Sequence, residues 1–209
     1  MTSIAQRAIH KNLAFIDVHE HEHRILDATG AKVRRYIAEP WHFAGSSALG
    51  WSLSGPGAAH AGDDARTTLR LASDVSMHLH GSPFVLTEDT DFYIGARIDF
   101  GQCAPKRFFF GLASKPAHIG FSAPGLDLST RDGATEIATK VGAVGAGSVD
   151  LELYWSGAEH ALHVYVNSAE VAAPDHLPTN SMQLALELSG DAQPCAVRFA
   201  WLRAIVLGR

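Results

Sequence analysis

The chain has 209 residues, of which 46% are hydrophobic and 19% charged, and a formal net charge of −5 with its 12 histidines neutral. These values describe a globular chain with a real core, at a length that a single all-β domain reaches. They exclude the clustered basic charge of a nucleic-acid binder, and no window approaches the ~20 apolar residues that a bilayer span needs.

Residues 1–24 differ from the remainder. Ile4, Ala8 and Ile9 could open a short helix, whereas LAFIDVHEHEH alternates as a strand does. This stretch is read as an N-terminal arm or added edge strand, with residues 25–209 as the β-sandwich domain. Met1 is followed by TSIAQRAIHKNLAF, with no basic-then-apolar leader, so a protein made and kept in the cytoplasm or assembled there is expected.

AKVRRYIAEPWHFAG follows as a strand that Pro40 ends, and Leu49, Trp51 and Leu53 mark another within a Gly/Ser/Pro-rich stretch. TTLRLASDVSMHLHG predicts one or two strands. DFYIGARIDF and RFFFGLAS are the strongest strand signals, and the second is apolar on both faces, as a central strand is. Gly111 within it suggests a close backbone approach or a bulge. Residues 114–147 read as mainly loop, with IGF and LDL as short strands. VGAVGAG lacks the Lys-Ser/Thr ending of a phosphate loop.

VDLELYW then places Leu151, Leu153 and Trp155 on one face and Asp150, Glu152 and Tyr154 on the other, the alternation of an antiparallel sheet. ALHVYVN, MQLALEL and AVRFAWLRAIVL complete the set. Short strands at this spacing, without a sustained helical period, predict an all-β antiparallel β-sandwich. Cys103 and Cys195 are too few for a disulfide framework; reduced thiols and a single bridge both stand as readings.

The order FYIGARIDF, RFFFGLAS, DLELYW, HVYVN with its Asn167 turn, and AVRFAWLRAIVL resembles the concanavalin A-like, or laminin-G-like, jelly roll over about residues 90–209. Within that fold, FYIGARIDF and RFFFGLAS look similar to domains of tailed-bacteriophage decoration proteins. That resemblance implies a non-enzymatic virion protein, a capsid decoration or cement protein on the capsid surface. Its partners would be the major capsid protein and neighbouring copies in a homo-oligomer such as a trimer, with no nucleic acid and no membrane. The alternative is a carbohydrate-binding, lectin-like module of a phage tail or a cell, with its glycan contacts on loop residues around Trp51 or in the 114–133 region.

HEHEH is the most conspicuous local motif. On a strand His19, His21 and His23 share a face opposite Glu20 and Glu22. His-x-His is a metal-ligand spacing, repeated at His78 and His80, so His19, His21, His78 and His80 are the candidate metal ligands. The first and third histidines of the motif would lie roughly 13 Å apart, too far to share one ion readily. The plainer reading makes residues 19–23 a polar partner-binding patch, and neither metal nor cofactor is expected. Glycoside hydrolases of this jelly-roll class carry paired carboxylates on one strand face, as Glu-x-Asp-x-Glu or similar. Asp150 and Glu152 come nearest to that pattern and are expected to form a solvated strand face instead.

Overall fold

The computed structural model describes residues 32–38, 51–54, 59–61, 69–72, 75–79, 84–101, 105–144, 147–189 and 196–208, with side chains described only from Phe84 onward. In chain order the strands are β1 (Lys32–Ala38), β2 (Trp51–Ser54), β3 (Ala59–Ala61), β4 (Leu69–Ala72), β5 (Val75–Leu79), β6 (Asp91–Asp99), β7 (Arg107–Ala113) and β8 (Ala117–Ser122). They continue as β9 (Asp127–Asp132), β10 (Thr135–Lys140), β11 (Ser148–Ser156), β12 (Ala161–Val166), β13 (Ala169–Val171), β14 (Gln183–Ser189) and β15 (Ala196–Gly208). Among the described residues every strand pairing is antiparallel.

Two sheets result. An eight-stranded sheet runs β13-β12-β11-β6-β15-β4-β3, with β1 on β15; a seven-stranded sheet runs β10-β9-β8-β7-β14-β5-β2. This is the sandwich that the alternating strands predict, and its form is the concanavalin A-like jelly roll. Among the described residues, no helix is long and apolar enough to cross a membrane. Residues 1–24, with the HEHEH motif, lie outside the described residues, as do His80, Cys103 and Cys195.

The core lies between the sheets. Phe92, Ile94 and Ile98 of β6, with Leu151, Leu153 and Trp155 of β11, meet Phe108, Phe110 and Leu112 of β7, Ile119 and Phe121 of β8, and Leu184 and Leu186 of β14. Phe110 and Phe121 stack with centroids 6.4 Å apart, and Phe100 meets Phe108 edge-on at 5.0 Å. RFFFGLA sits inside its sheet between β8 and β14, which explains why both its faces are apolar. The β12–β13 hairpin turns at Asn167 and Ser168, both at positive φ (50° and 64°), as a two-residue primed turn requires.

Residues 114–147 correct the expectation of a mainly loop segment. They carry three strands, β8, β9 and β10, in successive hairpins. The polar TEIATK was passed over because β10 is an edge strand exposed along its whole length, so burial imposed no alternation on it.

Asp150 and Glu152 also require correction, because their face is not solvated. Asp150 and Glu152 retain 8% and 0% of their accessible surface. Asp150 pairs directly across β6 with Arg97, which donates Nε at 2.7 Å and Nη2 at 2.8 Å. Glu152 accepts from the Tyr93 hydroxyl at 2.6 Å. Their i, i+2 spacing puts the carboxylates about 7 Å apart, within the range of a hydrolytic pair. Yet Glu152 is closed to any substrate, and both groups are already engaged.

Candidate functional site

The outer face of the seven-stranded sheet carries a groove of about 650 Å³ lined by Phe109, Ala113, Ser114, Lys115, His118, Arg131, Ser181, Gln183 and Glu187. Strand alternation creates it. Inward positions of β7, β8 and β14 feed the core, which leaves Phe109, Gly111 and Ala113, then His118 and Gly120, then Gln183, Ala185 and Glu187 on the outer side.

The register sorts these positions into rows that cross the strands. One row runs Glu136, Arg131, His118, Ala113, Gln183. The next runs Ala138, Ser129, Gly120, Gly111, Ala185 and continues in backbone register to His78 and Ser52. A third holds Ser122, Phe109 and Glu187. The middle row is therefore built from small residues, and it is buried beneath its bulkier neighbours: Ala185 is 0% and Ser129 4% exposed, and the groove is lined by the rows on either side. From Ser129 to Ala185 it spans three inter-strand spacings, about 14 Å.

Two glycines hold that middle row down. A Cβ on Gly111 would lie 2.3 Å from the Ile119 carbonyl oxygen, and one on Gly120 would lie 2.5 Å from that of Phe110. The backbones of β7 and β8 approach too closely there for any side chain. A Cβ on Gly120 would also come within 2.8 Å of the Phe109 ring tip, so that ring leans over the glycine. Phe109 meets the His118 imidazole edge-on at 5.5 Å.

The polar wall is held from several sides. His118 Nε2 and the Ser129 hydroxyl are hydrogen-bonded at 2.8 Å, and the Glu136 carboxylate stands 3.9 Å from the same nitrogen. Burial pushes His118 below the ordinary histidine range; Glu136 opposes that shift and Arg131 reinforces it. The imidazole is therefore neutral at pH 7. Arg131 Nη2 donates to the Lys115 carbonyl at 3.0 Å, which ties β9 to the β7–β8 turn. That turn is closed by Ser114 N donating to the Ala117 carbonyl at 2.7 Å. Asp132 accepts from Asn180 Nδ2 at 3.0 Å and from the Thr179 hydroxyl at 3.4 Å, which fixes the segment leading to Ser181 and Gln183.

Among the described residues, no strand carries Glu-x-Asp-x-Glu on one face. Glu136 and Glu187, on the outer face of this sheet, belong to β10 and β14, four strand spacings or roughly 19 Å apart, whereas a glycosidic acid/base pair needs roughly 5–9.5 Å. No group of three potential metal ligands occurs among the described residues.

Part of this site was legible in the sequence: the 114–133 region of the lectin-like alternative holds Ser114, Lys115, His118 and Arg131, although it was read as loop and no residue in it was named. His78 lies on β5 at the register position of Ala185, and Trp51 lies on β2 paired with Leu79, so both belong to the groove's sheet; their side chains are outside the description. Phe109, His118, Arg131 and Gln183 were not singled out. One signal was available: the lone glycines of RFFFGLA and AHIGFS fall at interior strand positions, where a glycine marks close backbone approach.

No protein-family model matches the chain, and no curated protein matches it. Solved structures do match in fold. A β-1,3-glucanase from Mycobacterium marinum aligns with TM-score 0.56 at 13% identity, over 81% of this chain and 98% of that one. A mixed-linkage glucan GH16 protein from Bacteroides ovatus, in complex with a G4G4G3G product, aligns with TM-score 0.57 at 10% identity, over 78% and 97%. A carbohydrate esterase from the Shiga toxin-encoding bacteriophage phi24B aligns with TM-score 0.53 at 12% identity, over 84% and 99%.

These likenesses establish the concanavalin A-like fold. They also overturn the expectation of a non-enzymatic capsid decoration protein, because the three similar structures just named are those of carbohydrate-acting proteins. The phage resemblance rested on loose strand patterns that any jelly roll of this class shares. The carbohydrate-binding alternative agrees better with what was found.

Proposed function

We propose that this chain is a carbohydrate-active protein that holds a glycan in the groove across the outer face of its seven-stranded sheet. The observation that carries this reading is the groove itself. It combines a half-buried aromatic at Phe109 with side-chain donors and acceptors from His118, Gln183, Ser114 and Ser181. A sugar ring presents an apolar face and a polar rim, which is the complement of an aromatic edge beside amides and hydroxyls. The fold shared with glucan-acting proteins supports the same reading.

A glycan screen on the full chain tests it, repeated with Phe109→Ala. Saturable binding to at least one glycan, weakened about tenfold by removal of the ring, is expected. Unchanged binding by Phe109→Ala would move the site elsewhere.

A second reading, ester cleavage on the bound glycan, has one specific observation behind it. A neutral imidazole hydrogen-bonded to a serine hydroxyl, here His118 and Ser129 at 2.8 Å, is the pairing that activates an acyl-transfer nucleophile. Ser129 is only 4% exposed and sits beneath the histidine, which favours the binding reading. Hydrolysis of an O-acetylated glycan that disappears in Ser129→Ala would reverse that preference.

A further inference from the structure

The groove has an electrostatic character that binding to a neutral glucan does not use. Acidic residues outnumber basic ones across the chain, 22 to 17. At one corner of the groove, however, two cations stand together, Lys115 on the exposed β7–β8 turn and Arg131 on β9. Among the described residues neither has a carboxylate within ion-pair distance. Arg131 spends one amine on the Lys115 carbonyl, and its Nε–H is buried without an acceptor. Buried donors without a partner are uncommon, and each calls for an explanation.

The neighbouring acids do not neutralise this corner. Glu136 is opposite Arg131 in register, but its carboxylate reaches toward His118 Nε2 at 3.9 Å. Glu187 lines the groove and already has an interaction of its own. A part-buried guanidinium beside an exposed lysine, both lining a concave wall and neither in an ion pair among the described residues, matches planar or tetrahedral oxyanions. Low-dielectric walls concentrate such a field.

We infer that the groove takes an anionic glycan, a chain bearing carboxylate or sulfate groups, with Arg131 and Lys115 as the charge-reading residues. This rests on the glycan-binding reading above and narrows it to a substrate class. Gln183 and Phe109 would hold sugar rings while Arg131 fixes the register of the chain by its charged substituent.

The test titrates the full chain with polygalacturonate, dextran sulfate, a neutral β-1,3-glucan and polyglutamate, at low and at raised ionic strength, for the wild type, Arg131→Gln and Lys115→Gln. The expected result is that one anionic glycan binds at least about tenfold tighter than the neutral glucan and weakens by a similar factor in Arg131→Gln and with salt. Preference for polygalacturonate identifies a carboxylate reader; preference for dextran sulfate identifies a sulfate reader. Neutral glucan bound as tightly as either anionic chain would overturn the charge inference while leaving the glycan groove intact. Polyglutamate bound as tightly as the sugars would reduce the effect to ion exchange and overturn it as well. Failure of every glycan to bind would remove the groove reading itself. If Arg131→Gln does not fold, Lys115→Gln, altered only at an exposed turn, carries the test with an expected loss of about threefold.

Discussion

Thr130 and the two histidines show how differently single residues are settled on one strand framework. Thr130 is fully buried on the inner side of β9, and its hydroxyl has no hydrogen-bond partner. Replacing an unsatisfied buried polar group with an apolar one of similar shape removes a desolvation cost, so Thr130→Val should raise the unfolding free energy by about 1 kcal/mol, read as a higher denaturant midpoint. A loss of stability in that variant would mean that the hydroxyl is satisfied after all.

His163 and His118 carry opposite pH signs. Burial opposes the charged form of His163, but the hydrogen bonds that its ring nitrogens donate to Glu170 (2.9 Å) and Glu159 (3.1 Å) outweigh it and raise its pKa. Its stabilisation is therefore fully present below the ordinary histidine value of about 6.5 and is lost as pH rises through the higher folded value. His163→Gln should reduce stability more at pH 6 than at pH 9. His118 is shifted the other way, so the fold loses stability as pH falls below about 6.5 toward its depressed folded value. His118→Asn should remove that acid-side loss. Thermal melts of both variants across pH check the two signs together, and parallel curves for the variants would refute the assignment.

At the scale of elements, β7, β8 and β11 decide both the fold and the site. Leu151, Leu153 and Trp155 were legible as the buried face of β11 because apolar residues recur there at the strand period. The opposite face was not legible. Asp150, Glu152 and Tyr154 look solvated in isolation, and only the register reveals Arg97 across from Asp150 and Tyr93 within reach of Glu152. The groove was hidden for a related reason. Its residues come from the consecutive strands β7, β8 and β9 and from the distant β14, and only the sheet brings them into common rows.

The glycines belong to the same scale. Gly157 is crowded by three carbonyls, those of Thr87, Glu88 and Thr90, at 2.5–2.7 Å from where a Cβ would sit. Its N–H also donates to Asp91 at 2.7 Å, and the Trp155 indole donates to the Thr87 carbonyl at 3.0 Å. Gly157→Ala should cost about 1–3 kcal/mol by forcing this junction apart. Gly111→Ala should cost at least as much, and because it also separates β7 from β8 it should weaken glycan binding in whatever fraction still folds. A denaturation series on both variants checks this; a neutral Gly157→Ala would show that the segment before β6 yields freely.

For the molecule as a whole, the two outer faces of the sandwich have become different surfaces. The face of the eight-stranded sheet around β6 and β11 is buried and internally paired, whereas the face of the seven-stranded sheet around β7, β8 and β14 is part-exposed at Phe109, Ala113, His118, Gln183 and Glu187 and carries the groove. The core between them is shared with proteins that act on glucans and other carbohydrate, and the function proposed for this chain is set by what occupies the grooved face. The most direct measurement is a backbone and side-chain NMR titration of the full chain with the tightest glycan found in the screen. Shift changes should concentrate on Phe109, His118, Arg131, Ser181 and Gln183 and should saturate with a single isotherm. Changes confined to the eight-stranded sheet, or scattered without saturation, would contradict the assignment of the groove.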